Sequence, residues 1–163
     1  MPLLKAHPMA RKGLVLAAVI LVADQTVKLA VQQSLALWER IAVIPGFFNL
    51  VHYRNPGAAF GLMDGPNLPW RDALLIGITV LAIVLILYML LTSRQRERWL
   101  CLGLGAILGG AAGNLVDRIY LGMVVDYLDL YLGAFHWPAF NLADTAISLG
   151  AVTVLVASFL RKD

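Results

Sequence analysis

The sequence predicts an all-α membrane protein, with four transmembrane helices and a small extramembrane β-sheet on the outer side. Three observations carry that prediction. Hydrophobic residues make up 60% of the 163-residue chain and charged ones 14%, against about 45–50% and about 25% in soluble domains. Four apolar runs each approach the roughly 20 residues that a bilayer core requires. Between them lie two stretches rich in β-branched and aromatic residues, broken by Pro and Gly, that suit strands and turns. The length is that of one domain, so residues 1–163 are expected to form a single integral membrane unit.

The chain opens with a short basic segment carrying Lys5, Arg11 and Lys12, and the first span runs over about 13–31. Asp24, Gln25 and Lys28 interrupt its later part and no small-residue cleavage site follows, so it is expected to be a retained helix and not a secretory signal. From Ser34 to Arg71 the character changes. Pro45-Gly46 marks a turn, and Ile41, Val43, Phe47, Phe48, Val51 and Tyr53 favour a β segment over about 40–54. Pro56, Gly57, Gly61, Gly65, Pro66 and Pro69 argue against helix there. The second span, about 73–92, is uninterrupted, and a basic loop from Ser93 to Arg98 leads into a glycine-rich third span over about 100–116. A second extramembrane stretch, Ile119 to Ala139, holds a strand at about 124–131. The fourth span covers about 140–160, and Arg161-Lys162-Asp163 follows it.

Charge placement orients these spans. Four crossings put both termini on one side. That side holds Lys5, Arg11, Lys12, Arg94, Arg96, Arg98, Arg161 and Lys162, with only Glu97 and Asp163 as acids. Basic residues collect in cytoplasmic loops, so both termini are expected in the cytoplasm and the acidic residues at the outer face. Trp38, Trp70 and Trp137 fall near the outer ends of spans, where aromatic belts sit. The net charge of +3 is therefore a topology signal and not a basic patch for nucleic acid. The single cysteine, Cys101, excludes an internal disulfide and offers no cysteine cluster to a metal.

Carboxylates beside a bilayer are expensive and read first as functional. Asp126 lies in the outer strand. Asp144 lies about one helical turn below the outer surface, three residues after Asn141. Strand alternation points Asp126 and Asp129 to opposite faces, so only one of them faces a site with Asp144. Two carboxyls sharing a site do not both ionise cheaply. One would keep its proton while the other stays ionised, which supplies the acid and the base that amide hydrolysis by water needs. Asp24 and Lys28, four apart, share one helix face and form an expected ion pair that supports the fold. Gly105, Gly109 and Gly113 recur every fourth residue, which is a helix-packing stripe. Asn114, Asp117 and Arg118 share a face beyond them. Arg118 could pair with Asp117, reach a carboxylate or take a substrate carbonyl. Cys101 reads as a packing residue, and Tyr127, Tyr131 and Trp137 as interface anchors. His7, His52 and His136 are scattered, and no Gly-x-Ser-x-Gly or His-Glu-x-x-His is present. On residue types alone two alternatives stay open: a small proton-coupled membrane transporter using the same carboxylates, and a non-enzymatic assembly factor.

Five motifs in order then resemble those of the lipoprotein signal peptidase (signal peptidase II) family of bacterial aspartic peptidases. They are Asp24-Gln25-x-x-Lys28, Asn55-Pro56-Gly57-Ala58-Ala59-Phe60-Gly61, Gly109-Gly110-Ala111-Ala112-Gly113-Asn114-x-x-Asp117-Arg118, Val125-Asp126-Tyr127, and Phe140-Asn141-x-Ala143-Asp144. The resemblance implies an endopeptidase, a hydrolase of the bacterial cytoplasmic (inner) membrane, with its active site at the periplasmic face. It implies removal of signal peptides from diacylglyceryl-modified pre-lipoproteins by a cut just before the lipid-modified cysteine. It makes Asp126 and Asp144 the catalytic pair, with Asn55, Gly57, Asn114, Arg118 and Asn141 at the substrate and Asp24 and Lys28 in support. No cofactor, metal or nucleic acid is expected, only substrate, membrane lipid and a monomeric chain. The outer sheet is expected to lie on the bilayer and clamp the extended peptide beside its lipid.

Overall fold

The computed structural model describes residues 8–57, 69–93 and 97–160. Within them the order is α1 (Pro8–Ser34), β1 (Arg40–Ile44), β2 (Phe48–Asn55), α2 (Pro69–Thr92), α3 (Arg98–Leu121), β3 (Val124–Leu132), β4 (Phe135–His136) and α4 (Leu142–Phe159). All four helices are long and apolar enough to cross a membrane.

Helix α3 is the axis of the bundle, packed between α1 and α4, with α2 alongside it. Its glycines explain why. A methyl group on Gly105 would strike the Gly13 carbonyl oxygen of α1, and one on Gly109 would come within 2.6 Å of the Ala17 oxygen. On the opposite face, a methyl on Gly103 would meet the Gly150 oxygen of α4 at 2.9 Å, and one on Gly110 would strike that of Ala143. Backbone-to-backbone approach of this kind is how small residues drive helix association in lipid. The expected stripe is therefore one of two, on opposite faces of one helix. Helix α2 instead exposes Leu74, Ile78, Leu81 and Leu85, as a lipid-facing helix would.

The strands form one antiparallel sheet in the order β1-β2-β3-β4. The Pro45-Gly46 turn joins β1 to β2, with Gly46 at φ 84°, a conformation that costs glycine little. The ladder between β2 and β3 is irregular between Leu50 and Tyr53, and beyond it Tyr53 faces Asp126, Arg54 faces Val125 and Asn55 faces Val124.

Several expected boundaries shift. Helix α1 runs from Pro8 to Ser34. Helix α3 continues to Leu121, because nothing stops it before Gly122, which closes it in the left-handed conformation. Asp117 and Arg118 are thus helical along with Asn114, where an apolar count ended the span at about 116. Helix α2 starts at Pro69, a residue pre-shaped for a first turn. Helix α4 begins at Leu142 with Asn141 as its cap, and the β segment over about 40–54 is two strands. Of the expected breakers, Gly61, Gly65 and Pro66 lie outside the described residues, as do the outermost basic residues Lys5, Arg94, Arg96, Arg161 and Lys162.

Candidate active site

The site grows from a buried ion cluster where α1 and α3 end beneath the sheet. Lys28 Nζ lies 2.8 Å from Asp24 and 2.9 Å from Asp117, and all three side chains are shielded from solvent. Gln25 Nε2 donates to Asp117 at 2.9 Å, and the Val125 N–H donates to the other Asp117 oxygen at 3.0 Å. Asp117 is therefore committed to Lys28, Gln25 and β3. The expected Asp117–Arg118 option gives way to a different contact, in which Arg118 donates to the Gly57 carbonyl at 3.2 Å.

The N-terminus of α4 is fixed by three side chains, one each from α1 and β3 and one from its own cap. The Leu142 N–H donates to the Tyr127 hydroxyl at 3.0 Å, the Ala143 N–H to Asp24 at 3.0 Å, and the Asp144 N–H to the Asn141 side chain at 2.9 Å. Helix termini leave their first N–H groups unsatisfied, so these bonds satisfy the end and lock its angle. Asp144 also accepts from the Asn141 N–H at 3.3 Å, completing a capping box.

Asp126 comes to the same place from β3. Asn141 Nδ2 donates to Asp126 Oδ1 at 2.8 Å, and Asn55 Nδ2 to Asp126 Oδ2 at 3.1 Å. On the other side Asn114 Nδ2 donates to Asp144 Oδ1 at 2.7 Å. Lys28 closes the chain by donating to Asn114 Oδ1 at 2.9 Å. Asp126 thus receives an amide N–H from each of two asparagines, and Asp144 receives one from Asn114, which Lys28 holds. Burial, followed by the charge of Asp144, pushes the Asp126 carboxyl up to about 7, against the bonds from Asn55 and Asn141 and the charge of Lys28. The two aspartates share the wall of a cavity of about 750 Å³ with Asn55, Asn114 and Arg118. Arg118 carries its charge toward both. Such a pocket offers an acid, a base and a cation around one space.

Asp24, Lys28, Asn55, Gly57, Asn114, Arg118, Asp126, Asn141 and Asp144 are accordingly brought together at one end of the bundle. Ala58 to Gly61 of the second motif lie outside the described residues. Asp129 is elsewhere, as strand alternation required. It accepts from Asn49 Nδ2 at 2.7 Å and lies 2.8 Å from His136 Nδ1. Burial pushes its carboxyl up, but these bonds outweigh that and hold it below the usual range. His52 Nδ1 meets the Leu35 carbonyl at 3.0 Å. Cys101 is buried 3.0 Å from the Ser93 hydroxyl, at the far end of the bundle. Among the described residues no three His, Cys, Asp or Glu side chains gather as metal ligands.

Tyr127 was expected at the interface and is instead buried at 4% exposure. Its hydroxyl caps α4, and burial pushes the phenol up to about 12. Nothing in its spacing announced that contact. Gln25, between Asp24 and Lys28 in the first motif, proved to be a ligand of Asp117.

A family model described as signal peptidase (SPase) II matches residues 16–160. The lipoprotein signal peptidase of Maridesulfovibrio salexigens is 44% identical over 148 residues, covering 91% of this chain and 95% of that protein. That of Desulforapulum autotrophicum is 48% identical over 144 residues, covering 88% and 89%. A solved structure entitled a bacterial membrane enzyme structure by the in meso method at 2.3 Å resolution superposes with TM-score 0.81 at 26% identity, over 91% of this chain and 87% of that one.

Proposed function

The chain belongs to the signal peptidase II family, and from that premise we propose that it is the aspartic endopeptidase that removes signal peptides from diacylglyceryl-modified pre-lipoproteins, cutting just before the modified cysteine. It is a multi-pass bacterial membrane protein whose relatives are named for lipoprotein signal peptides. The observation that carries the reading is the pairing of Asp126 and Asp144 through Asn141 and Asn114 at one cavity wall.

In the mechanism, the resting proton is assigned to Asp126, whose carboxyl is pushed up to about 7 by burial and the Asp144 charge. Ionised Asp144 takes a proton from water as the water oxygen attacks the scissile carbonyl. The proton of Asp126 stabilises the developing oxyanion, and a proton then passes to the departing amine. Asn114 and Asn141 hold the carboxylates in register for this exchange, and Arg118 stabilises the charge that develops beside them. The proposed topology places both termini in the cytoplasm and the sheet end at the outer face of the inner membrane. The scissile bond of a signal helix then meets Asp144 about one turn into the bilayer. One chain carries both aspartates, so a monomer suffices. The transporter alternative has no comparable support, because the polar groups gather at one end and, between Ala73 and Leu91, α2 offers only Thr79 and Tyr88.

The test is cleavage of a diacylglyceryl-modified pre-lipoprotein by purified protein in detergent, beside Asp126→Asn and Asp144→Asn of confirmed fold. Cleavage by the parent and loss of at least 10³-fold in both variants is expected. Activity surviving either change would move the catalytic role elsewhere.

A further inference from the structure

Strand β2 is longer than its neighbour. Strand β1 pairs with it only as far as Arg40 opposite Val51. His52 then closes that ladder, its carbonyl accepting from Trp38 N–H at 2.9 Å and its N–H donating to the Glu39 carbonyl at 3.1 Å. Tyr53, Arg54 and Asn55 continue with β3 alone on the other side.

The direction of the Arg54 backbone follows from two independent observations. Along a strand, N–H and C=O groups of successive residues point to alternate edges. His52 points both of its groups toward Trp38 and Glu39, so Arg54 points its own to the same edge. On β3, Val125 opposite Arg54 spends its N–H on Asp117 and its carbonyl on Asn141 Nδ2, both away from β2. The Arg54–Val125 pair is therefore a non-bonded one. Among the described residues, the Arg54 N–H and C=O have no strand partner. The edge that they form borders the cavity, whose wall includes Tyr53, Arg54 and Asn55. The neighbouring Asn55 reaches Asp126. The Arg54 guanidinium carries a third open valence, since its Nε is buried without a partner among the described residues. A buried donor left unpaired is costly, and an acceptor brought in by a ligand would relieve it.

We propose that the overhang of β2 centred on Arg54 is a strand-addition edge, which takes the extended segment of the substrate peptide next to the scissile bond through the Arg54 N–H and C=O, with the guanidinium donating to the same segment. This rests on the peptidase reading above. Edge pairing reads main chain and tolerates varied side chains, which suits an enzyme whose substrates differ in sequence. The positive charge of Arg54 adds selection against basic side chains in the paired segment.

The experiment replaces, one at a time, each non-scissile amide within four residues of the cut by an ester, in a synthetic diacylglyceryl-modified pre-lipoprotein peptide. The replacement removes one N–H and leaves the enzyme untouched. One hydrogen bond predicts a rise in KM of roughly 3- to 10-fold, at positions of one parity only and with kcat little changed. A flat profile across all positions overturns the edge while leaving the peptidase reading intact. Failure to cleave the all-amide parent overturns both. In folded Arg54→Met enzyme, KM for the all-amide peptide should rise several-fold, and an unchanged KM overturns the role of the guanidinium.

Discussion

Asp24, on α1, accepts the Ala143 N–H of α4 at 3.0 Å across 119 positions of sequence, while its other oxygen holds Lys28 at 2.8 Å. One carboxylate therefore ties a helix end to a buried cation. Lys28 in turn is shared between Asp24 and Asp117 and supports Asn114. Removing one partner of such a cluster leaves uncompensated buried charge, which costs about 3–5 kcal/mol. Lys28→Met should lower the thermal unfolding midpoint in detergent far more than Asp24→Asn, whose amide oxygen still accepts from Ala143. Equal shifts for the two variants would refute the cluster as the keystone.

Helix packing by glycine is testable against an internal control. Gly105 meets the Gly13 backbone, whereas nothing lies within 4 Å of a methyl group on Gly77 of α2. Gly105→Ala forces α1 and α3 apart and should cost about 1–3 kcal/mol. Gly77→Ala should be neutral or stabilising, since alanine favours helix over glycine by about 1 kcal/mol. Unfolding midpoints of both variants decide it, and a tolerant Gly105 would count against close helix approach.

Tyr127→Phe removes the acceptor for the Leu142 N–H and nothing else of size. An orphaned amide at a buried helix end costs about 1–3 kcal/mol. Stability should fall by that amount, and kcat should fall as Asp144 loses its fixed approach. If both were unchanged, the hydroxyl would be no more than a passenger.

What could be read before folding depended on range. The four spans, the Asp24–Lys28 pair and the opposite facing of Asp126 and Asp129 follow from periodicities of a few residues. The approach of Asn55 to Asp126 does not. It needs the β2–β3 register, including the irregularity between Leu50 and Tyr53, and nothing local encodes that. Hydropathy also ended the third span short of the last turn of α3, because Asp117 and Arg118 looked like an exit from the membrane. Asn114 and Asp117 are polar because Gln25 and Lys28 of α1 lie opposite them, whereas Arg118 reaches the Gly57 carbonyl. The capping role of Tyr127 was hidden for the same reason, since its partner is 15 residues away on another element.

The Asp126 carboxyl gives the sharpest pH signature. Burial and then the Asp144 charge raise it from its ordinary 3.8 to about 7. A folded value above the unfolded one means that the folded protein binds the proton more tightly. Stability is therefore fully present below about pH 4 and declines as pH rises toward 7, by a few kcal/mol at most. Above that the loss is complete and level. Asp126→Asn never ionises, so it escapes this decline. The variant should unfold at nearly the parent temperature at pH 4 and several degrees higher at pH 8. On the proposed mechanism the same titration removes the proton of the acid, so kcat/KM of the parent should fall as pH rises through about 7. Unfolding midpoints of the two proteins from pH 4 to 8, beside the parent's rate profile, test both limbs. A constant difference in midpoint would mean that Asp126 does not titrate between pH 4 and 8, and the fall in rate would then belong to another group.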